Sequence, residues 1–435
     1  MNRAAFLSLA ATGVAANVIG PGSRAMAAAP SEGRKPSDPL AGKFAIVAKA
    51  PPAADGNHTF FLSNAFTDLG NGTYLAASPL TVRLREGDAV TGHSVLVARS
   101  VDRGDTWQVV GRLPQTEVVE VALFAFGGRV YMFIGPRTQA GIIRVMVSKD
   151  NGSSWSEPTE VVHTKPAGVN ASQSGSTGTA DPVETAARSE AWYCLHQTTM
   201  VVHEGKLYFA VSERLQRLRI VSCELQGILD PACWRISEPA EMPLPKELNP
   251  GLFPGPSMRC LEGNVVRVNG RLSVLARAVI DRQGTASIAA VFDAQDTGKT
   301  LKLEFSQFYA IPGGQCKFYI IHDAVSKLYW MASNLPVDSQ KRAAPETPEI
   351  FRHHDRRFLM LFYSADSLNW FPAGCIVRTN NPRQSFMYPS LIIDGNDLAV
   401  LSRTARESGR AHDADLMTFH RVKNFREYAM DLTMT

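Results

Sequence analysis

Glu262 is followed by GNVVRVNGRLSVLA and then Arg277, a separation of 15 residues. A carboxylate can polarise a hydroxyl, and a guanidinium fork takes a carboxylate bidentately, so the pair suits chemistry on an anionic ligand. Further along, Tyr388 opens YPSLIIDGNDLAVLSR, which ends on Arg403, and Lys317 lies in GGQCKFYII as a point charge rather than a fork. Asp88, with Glu86 nearby, sits in the polar run LREGDAVTGHS. His196 and His322 stand alone, and a lone histidine is more often a satisfied structural group; His196 is kept as a candidate ligand contact. The adjacent His353 and His354 lack a spaced acidic partner, so no metal motif is read. None of the six cysteines forms a C-x-x-C pair, which argues against a zinc ribbon or a dithiol redox site. Cys223 and Cys233 span one hairpin, where a disulfide and free thiols are both open readings.

The remainder of the chain bounds what these residues can do. It has 435 residues, 45 % hydrophobic and 20 % charged, with a net charge of +4, the composition of a folded globular protein rather than a disordered one. Its positive charge is dispersed, without the basic stripe that grips a phosphate backbone, so no nucleic-acid partner is expected. Residues 1–29 read as an export signal: Arg3, a weakly apolar run from Ala4 to Ile19, and small residues at Ala25-Met26-Ala27 or Ala27-Ala28-Ala29. Arg3 precedes Ala4, so the twin-arginine pattern is not met. No later segment approaches the length of a membrane span. The expectation is an exported protein with one domain over residues 30–435.

The elements that must position the chemical residues are repeats. Residues 100–107, SVDRGDTW, and 148–155, SKDNGSSW, share the pattern Ser-x-Asp-x-Gly-x-Thr/Ser-Trp, and each follows an alternating strand. The Asp can accept backbone N–H bonds within a tight turn, Gly supplies positive φ, and Trp fills the apolar gap between sheets. Weaker copies are SCELQGILDPACW (222–234), DAQDTGKT (293–300) and SADSLNW (364–370). A second recurring hairpin appears six times, at 66–78, 122–135, 200–212, 265–277, 319–333 and 390–402. Six units of roughly 60–70 residues, none able to bury both faces alone, predict an all-β ring of four-stranded antiparallel blades. The strand FAIVAK (44–49) stands before the first unit and is placed to complete the last blade. Two polar excursions, 164–190 and 335–357, interrupt the pattern.

The octets resemble the Asp boxes of sialidase-type β-propellers, and the chain is identified on them as a divergent member of the sialidase-like superfamily. That resemblance implies a six-bladed propeller and a glycan substrate. It implies an arginine cluster for a carboxylate, a Tyr nucleophile activated by a Glu, and an Asp acid/base. Glu262 and Arg277 resemble the family's Glu and one of its arginines, Tyr388 its nucleophile, and Asp88, with Glu86 as understudy, its acid/base. The family's first arginine is missing from FFLSNAF (60–66). A Glu that the family carries fifteen residues after its Tyr is here Arg403, which reads as a compensating swap. Lys317 stands where another arginine is expected. The C-terminal run 402–425 also resembles a motif in bacterial members of this superfamily, and by that resemblance His412, Asp413 and Asp415 are further residues expected to face the site.

The function expected is a retaining, exo-acting hydrolase of an acidic sugar, monomeric, with no cofactor and no metal. A neutral phenol suits attack beside an anionic sugar because a carboxylate would be repelled. A propeller lyase, a hydrolase of another sugar and a non-catalytic glycan-binding propeller are the alternatives.

Overall fold

The computed structural model describes residues 38–52, 57–83, 90–113, 118–136, 141–164, 193–213, 217–243, 259–279, 287–337, 355–408 and 410–432. The expected export signal, Glu86, Asp88, His353, His354 and most of the 164–190 excursion lie outside these residues. Two compact units divide at Asp38; the second, Pro39–Thr435, is a six-bladed β-propeller.

β1 (Ala45–Lys49) precedes the first blade, which is built from β2 (His58–Phe61), β3 (Ala65–Asp68), β4 (Tyr74–Arg83), β5 (Val90–Ser100) and β6 (Gln108–Leu113). Blade two is β7 (Val118–Phe126), β8 (Arg129–Pro136), β9 (Ile142–Ser148) and β10 (Thr159–His163). Blade three runs β11 (Tyr193–Cys194), β12 (Val201–His203), β13 (Lys206–Glu213), β14 (Arg217–Glu224), β15 (Trp234–Ile236) and β16 (Ala240–Glu241). Blade four is β17 (Arg259–Val268), β18 (Arg271–Val279), β19 (Ile288–Asp296) and β20 (Leu301–Ala310). Blade five is β21 (Tyr319–His322), β22 (Tyr329–Asn334), β23 (Phe358–Ser364) and β24 (Phe371–Arg378). Blade six is β25 (Ser385–Asp394), β26 (Asp397–Ala405) and β27 (Leu416–Val422).

All six expected hairpins are present, each formed by the first strands of one blade. Blade six lacks a fourth strand of its own, and β1 supplies it, pairing antiparallel with β27 from Ala45↔Phe419 to Lys49↔Leu416. The start and end of the ring are thus fastened by backbone hydrogen bonds as well as by packing. Blades one and three depart from the simple four-strand unit, because their inner strands break into β2 and β3 and into β11 and β12.

Six apolar clusters fill the ring, one between each pair of neighbouring blades, as expected for sheets that must bury both faces. The Asp boxes seal this packing from the outside. In blade one, Ser100 Oγ donates to Asp102 at 2.7 Å, Thr106 N donates to Asp102 at 2.9 Å, and Trp107 Nε1 donates to Gly104 O at 3.0 Å. Blade two repeats the set with Ser148, Asp150, Ser154, Trp155 and Gly152. The copy at 364–370 keeps the Asp366 bonds, but without the glycine Trp370 Nε1 has no partner among the described residues. All six cysteines are free thiols, so Cys223 and Cys233 do not bridge their hairpin. No helix among the described residues is long and apolar enough to cross a membrane.

Gly104 has φ +93°, and a Cβ there meets the Phe419 ring of blade six at 2.4 Å. Gly298 has φ +81° but open space around it. Gly104→Ala therefore combines a left-handed backbone penalty with a clash between the first and last blades, costing about 2–4 kcal/mol. Gly298→Ala costs only about 1 kcal/mol. Urea denaturation of both variants measures the difference, and equal losses contradict this packing of blade one on blade six.

Candidate active site

Five of the six inner strands lose their regular register beside the site. In blade one the ladder stops at Phe61↔Leu80 and resumes at Ala65↔Ala77, leaving Ser63 between. Blade two shifts between Val118 and Glu120. Blade three leaves His196 between the Cys194↔Ser212 and Val201↔Tyr208 pairs. Blade four shifts between Leu261 and Asn264, around Glu262; blade six shifts between Met387 and Ser390, around Tyr388. In blade five Lys317 lies just before β21. A bulge re-aims a side chain, and these breaks lie at or beside Ser63, Glu120, His196, Glu262 and Tyr388, whereas the blade-five ladder runs without a shift. Glu262 and Tyr388 adopt φ of 59° and 54°, a left-handed conformation that the paired strands on either side must hold against its intrinsic cost.

The six residues form a connected ring. Ser63 Oγ donates to Glu120 and lies 3.2 Å from His196 Nδ1. His196 Nδ1 is 3.4 Å from Glu120 and 3.9 Å from Glu262, and the His196 and Tyr388 rings are 6.5 Å apart. Lys317 Nζ donates to Pro389 O at 2.9 Å and stands 5.7 Å from the Tyr388 ring centre. Two arginines come from the second strands, one residue from the bulges: Arg277 pairs with Leu261 and Arg403 with Met387. Arg277 Nη1 donates to both Glu262 oxygens at 3.2 and 3.3 Å, and its Nε donates to Gln315 O at 2.6 Å. The Arg403 guanidinium lies 5.0 Å from the Tyr388 ring centre and donates to His412 O. Arg356, from the end of the blade-five excursion, lies 5.6 Å from the same ring.

All of these groups are buried, so each charge is felt strongly. Burial would raise the Glu262 pKa, but Arg277, His196 and Lys317 outweigh it and hold the carboxyl below its ordinary value. Burial and the Glu262 charge raise Tyr388, against Arg277, Arg356 and Arg403, so the phenol stays protonated. Burial lowers Lys317 to about 8 despite Glu262 and Glu120. Burial also lowers His196, but Glu120 overcomes it and raises the imidazole.

Of the residues read from sequence, Glu262, Arg277, Tyr388, Arg403, Lys317 and His196 come together in this cluster. His322 instead packs on Tyr329 at 4.9 Å and lines a cleft with Arg267. Asp415 accepts backbone N–H bonds from Arg406 and Glu407 and so caps its own loop. His412 Nδ1 lies 3.5 Å from Asp413. The sequence reading missed Ser63, Glu120, Cys194 and Arg356. Ser63 lies in the break of its blade's inner strand and Glu120, paired with Gly135, directly follows one, so aligning the six hairpins would have drawn notice to both. Arg356 sits outside the repeat and leaves no such signal.

No family model and no curated protein matches the chain. Solved structures do. A sialidase of Trypanosoma rangeli, in complex with sialic acid, superposes with a TM-score of 0.51 at 15 % identity over 85 % of this chain. This chain spans 55 % of the length of that sialidase. A mutant of the NanB sialidase from Streptococcus pneumoniae gives 0.56 at 10 % identity, covering 87 % of this chain and 70 % of that one. An α-L-arabinanase of Penicillium chrysogenum, complexed with arabinobiose, gives 0.50 at 12 % identity, covering 89 % and 99 %. At such identities the likeness defines the fold, a sialidase-like six-bladed propeller, and leaves the chemistry to the site.

Replacing Glu262 by Gln removes the buried ion pair with Arg277, which costs about 3 kcal/mol. Because the folded-state pKa lies below the ordinary 4.5, this stabilisation is full above that pH and fades as the pH falls below it. Urea denaturation of wild type and Glu262→Gln at pH 7 and at acid pH reads both effects. A gap that does not narrow on acidification removes the ion pair as its source.

Proposed function

We propose that the chain is an exported glycoside hydrolase that acts on a chain-end acidic sugar with retention. The observation that supports this most is the state of two buried arginines. Arg403 and Arg356 are 2 % and 4 % exposed, both lie over Tyr388, and neither pairs with a carboxylate among the described residues. Among the described residues Arg403 Nε has no hydrogen-bond partner, and Arg356 Nη1 points at the Met387 sulfur, a weak acceptor, at 3.1 Å. Buried guanidinium groups without acidic partners are costly, and an anionic ligand supplies what they lack.

In this reading Tyr388 attacks the anomeric carbon while Glu262, held in place by Arg277, accepts its hydroxyl proton. Arg403, Arg356 and Lys317 hold the substrate carboxylate and offset charge as the phenol oxygen becomes the nucleophile. His196 steadies Glu262 from the other side. Asp88, outside the described residues, protonates the departing oxygen and then activates water. A lyase is the second reading, with Tyr388 or His196 as base beside Arg403 and Lys317, which neutralise the substrate carboxylate.

A panel of acidic glycosides tests the assignment. Release of a free reducing sugar supports hydrolysis, an unsaturated product absorbing in the ultraviolet supports elimination, and binding without either supports a lectin-like role. Tyr388→Phe should lower turnover by at least about 10³-fold while binding changes little; unchanged turnover removes Tyr388 as nucleophile. Affinity for an acidic monosaccharide should fall above pH about 8, where Lys317 loses its proton. Lys317→Met should bind more weakly, with no such step. Calorimetric titration across pH reads this, and a step that persists in the variant assigns it to another group.

A further inference from the structure

The half of the ring contributed by blades one to three has a different chemical character from the half around Tyr388. Oxygen, nitrogen and sulfur donors meet there. Cys194 ends β11 and His196 lies two residues on, in the break of the ladder. Cys194 Sγ lies 2.9 Å from His196 Nε2. Glu120 enters from blade two, and donor atoms of Glu120, Cys194 and His196 all lie within 4.8 Å of one another. All three residues are buried. We propose that Glu120, Cys194 and His196 form a binding site for one thiophilic divalent cation of the zinc class, with a fourth position left for water or ligand.

The donor set suits that class. A thiolate and an imidazole select zinc-like ions over magnesium or calcium, which prefer oxygen alone. Zinc bonds of about 2.0–2.3 Å place tetrahedral ligands about 3.3–3.8 Å apart, so Cys194 and His196 need to separate by less than 1 Å to admit the ion. The other imidazole nitrogen already has the partner that a metal-bound histidine requires. Ser63 Oγ stands 3.2 Å from Nδ1, where it can accept the N–H that fixes the ring with Nε2 toward the ion. The Glu120 carboxylate, 3.4 Å from His196, and a Cys194 thiolate are the anionic donors that offset the charge of the ion. The sequence shows no metal motif because the donors come from blades two and three, 74 residues apart at Glu120 and Cys194.

The site goes beyond the hydrolase reading and is measured without activity. The full chain is stripped with a chelator and titrated with Co²⁺ while its absorption is followed. Wild type should take up one equivalent and show a thiolate-to-cobalt charge-transfer band in the near ultraviolet. That band should vanish in Cys194→Ser and persist in Cys223→Ser. Glu120→Gln and His196→Gln should each weaken binding by at least about tenfold. X-ray absorption of zinc-loaded wild type, which needs no variant to fold, should show one sulfur at about 2.3 Å together with lighter N/O ligands. Absence of saturable uptake, a band unchanged in Cys194→Ser, or a shell of oxygen alone overturns the proposal.

Discussion

The structure depends on holding several cations in one dry place with too few anions to match them. Arg277, Lys317, Arg356 and Arg403 are each under 10 % exposed and gather near Tyr388, yet the only carboxylate in ion-pair contact with any of them among the described residues is Glu262. Such an arrangement opposes folding, and it persists because six blades, each with its own packed interface, over-determine where the inner strands run. The β1–β27 pairing matters for the same reason: it closes the ring, so electrostatic repulsion at the centre cannot be relieved by spreading the blades.

The bulges translate that framework into chemistry. A regular inner strand alternates its side chains between the two faces of the blade. Breaks in register free Ser63, His196, Glu262 and Tyr388 from this alternation, Glu120 directly follows such a break, and Lys317 lies just before its strand. The ring they form divides into two chemically distinct parts. Blades four to six contribute Glu262, Lys317 and Tyr388 with the arginines behind them, a set suited to an anion. Blades one to three contribute Ser63, Glu120 and His196, with Cys194 behind them, a set suited to a cation.

Much of this was legible in the sequence because repetition carries it. The octets at 100–107 and 148–155 announce both the turn and the blade, and six hairpins of similar length fix the ring and its closure by residues 44–49. Glu262 with Arg277, and Tyr388 with Arg403, were visible through their position before and within such hairpins. Glu120 and Ser63 were not, because neither belongs to an Asp box or to a pair of charged residues, and their role depends on which residue a bulge turns inward. Arg356 was invisible for a deeper reason. It reaches Tyr388 from the end of a polar excursion, and only tertiary structure brings that segment to blade six. The compensation between the absent blade-one arginine and Arg403 was a statement about charge. The structure adds that Arg403 and Arg356 lie over one aromatic ring, at 5.0 and 5.6 Å.

The central claim is that these two arginines await the anionic group of a sugar beside Tyr388. A crystal structure with an acidic monosaccharide tests it most directly. The account predicts the sugar carboxylate within about 3 Å of both the Arg403 and Arg356 guanidinium groups, with its anomeric carbon facing the Tyr388 hydroxyl. A sugar bound with its carboxylate turned to solvent, or held away from Tyr388 altogether, would contradict it.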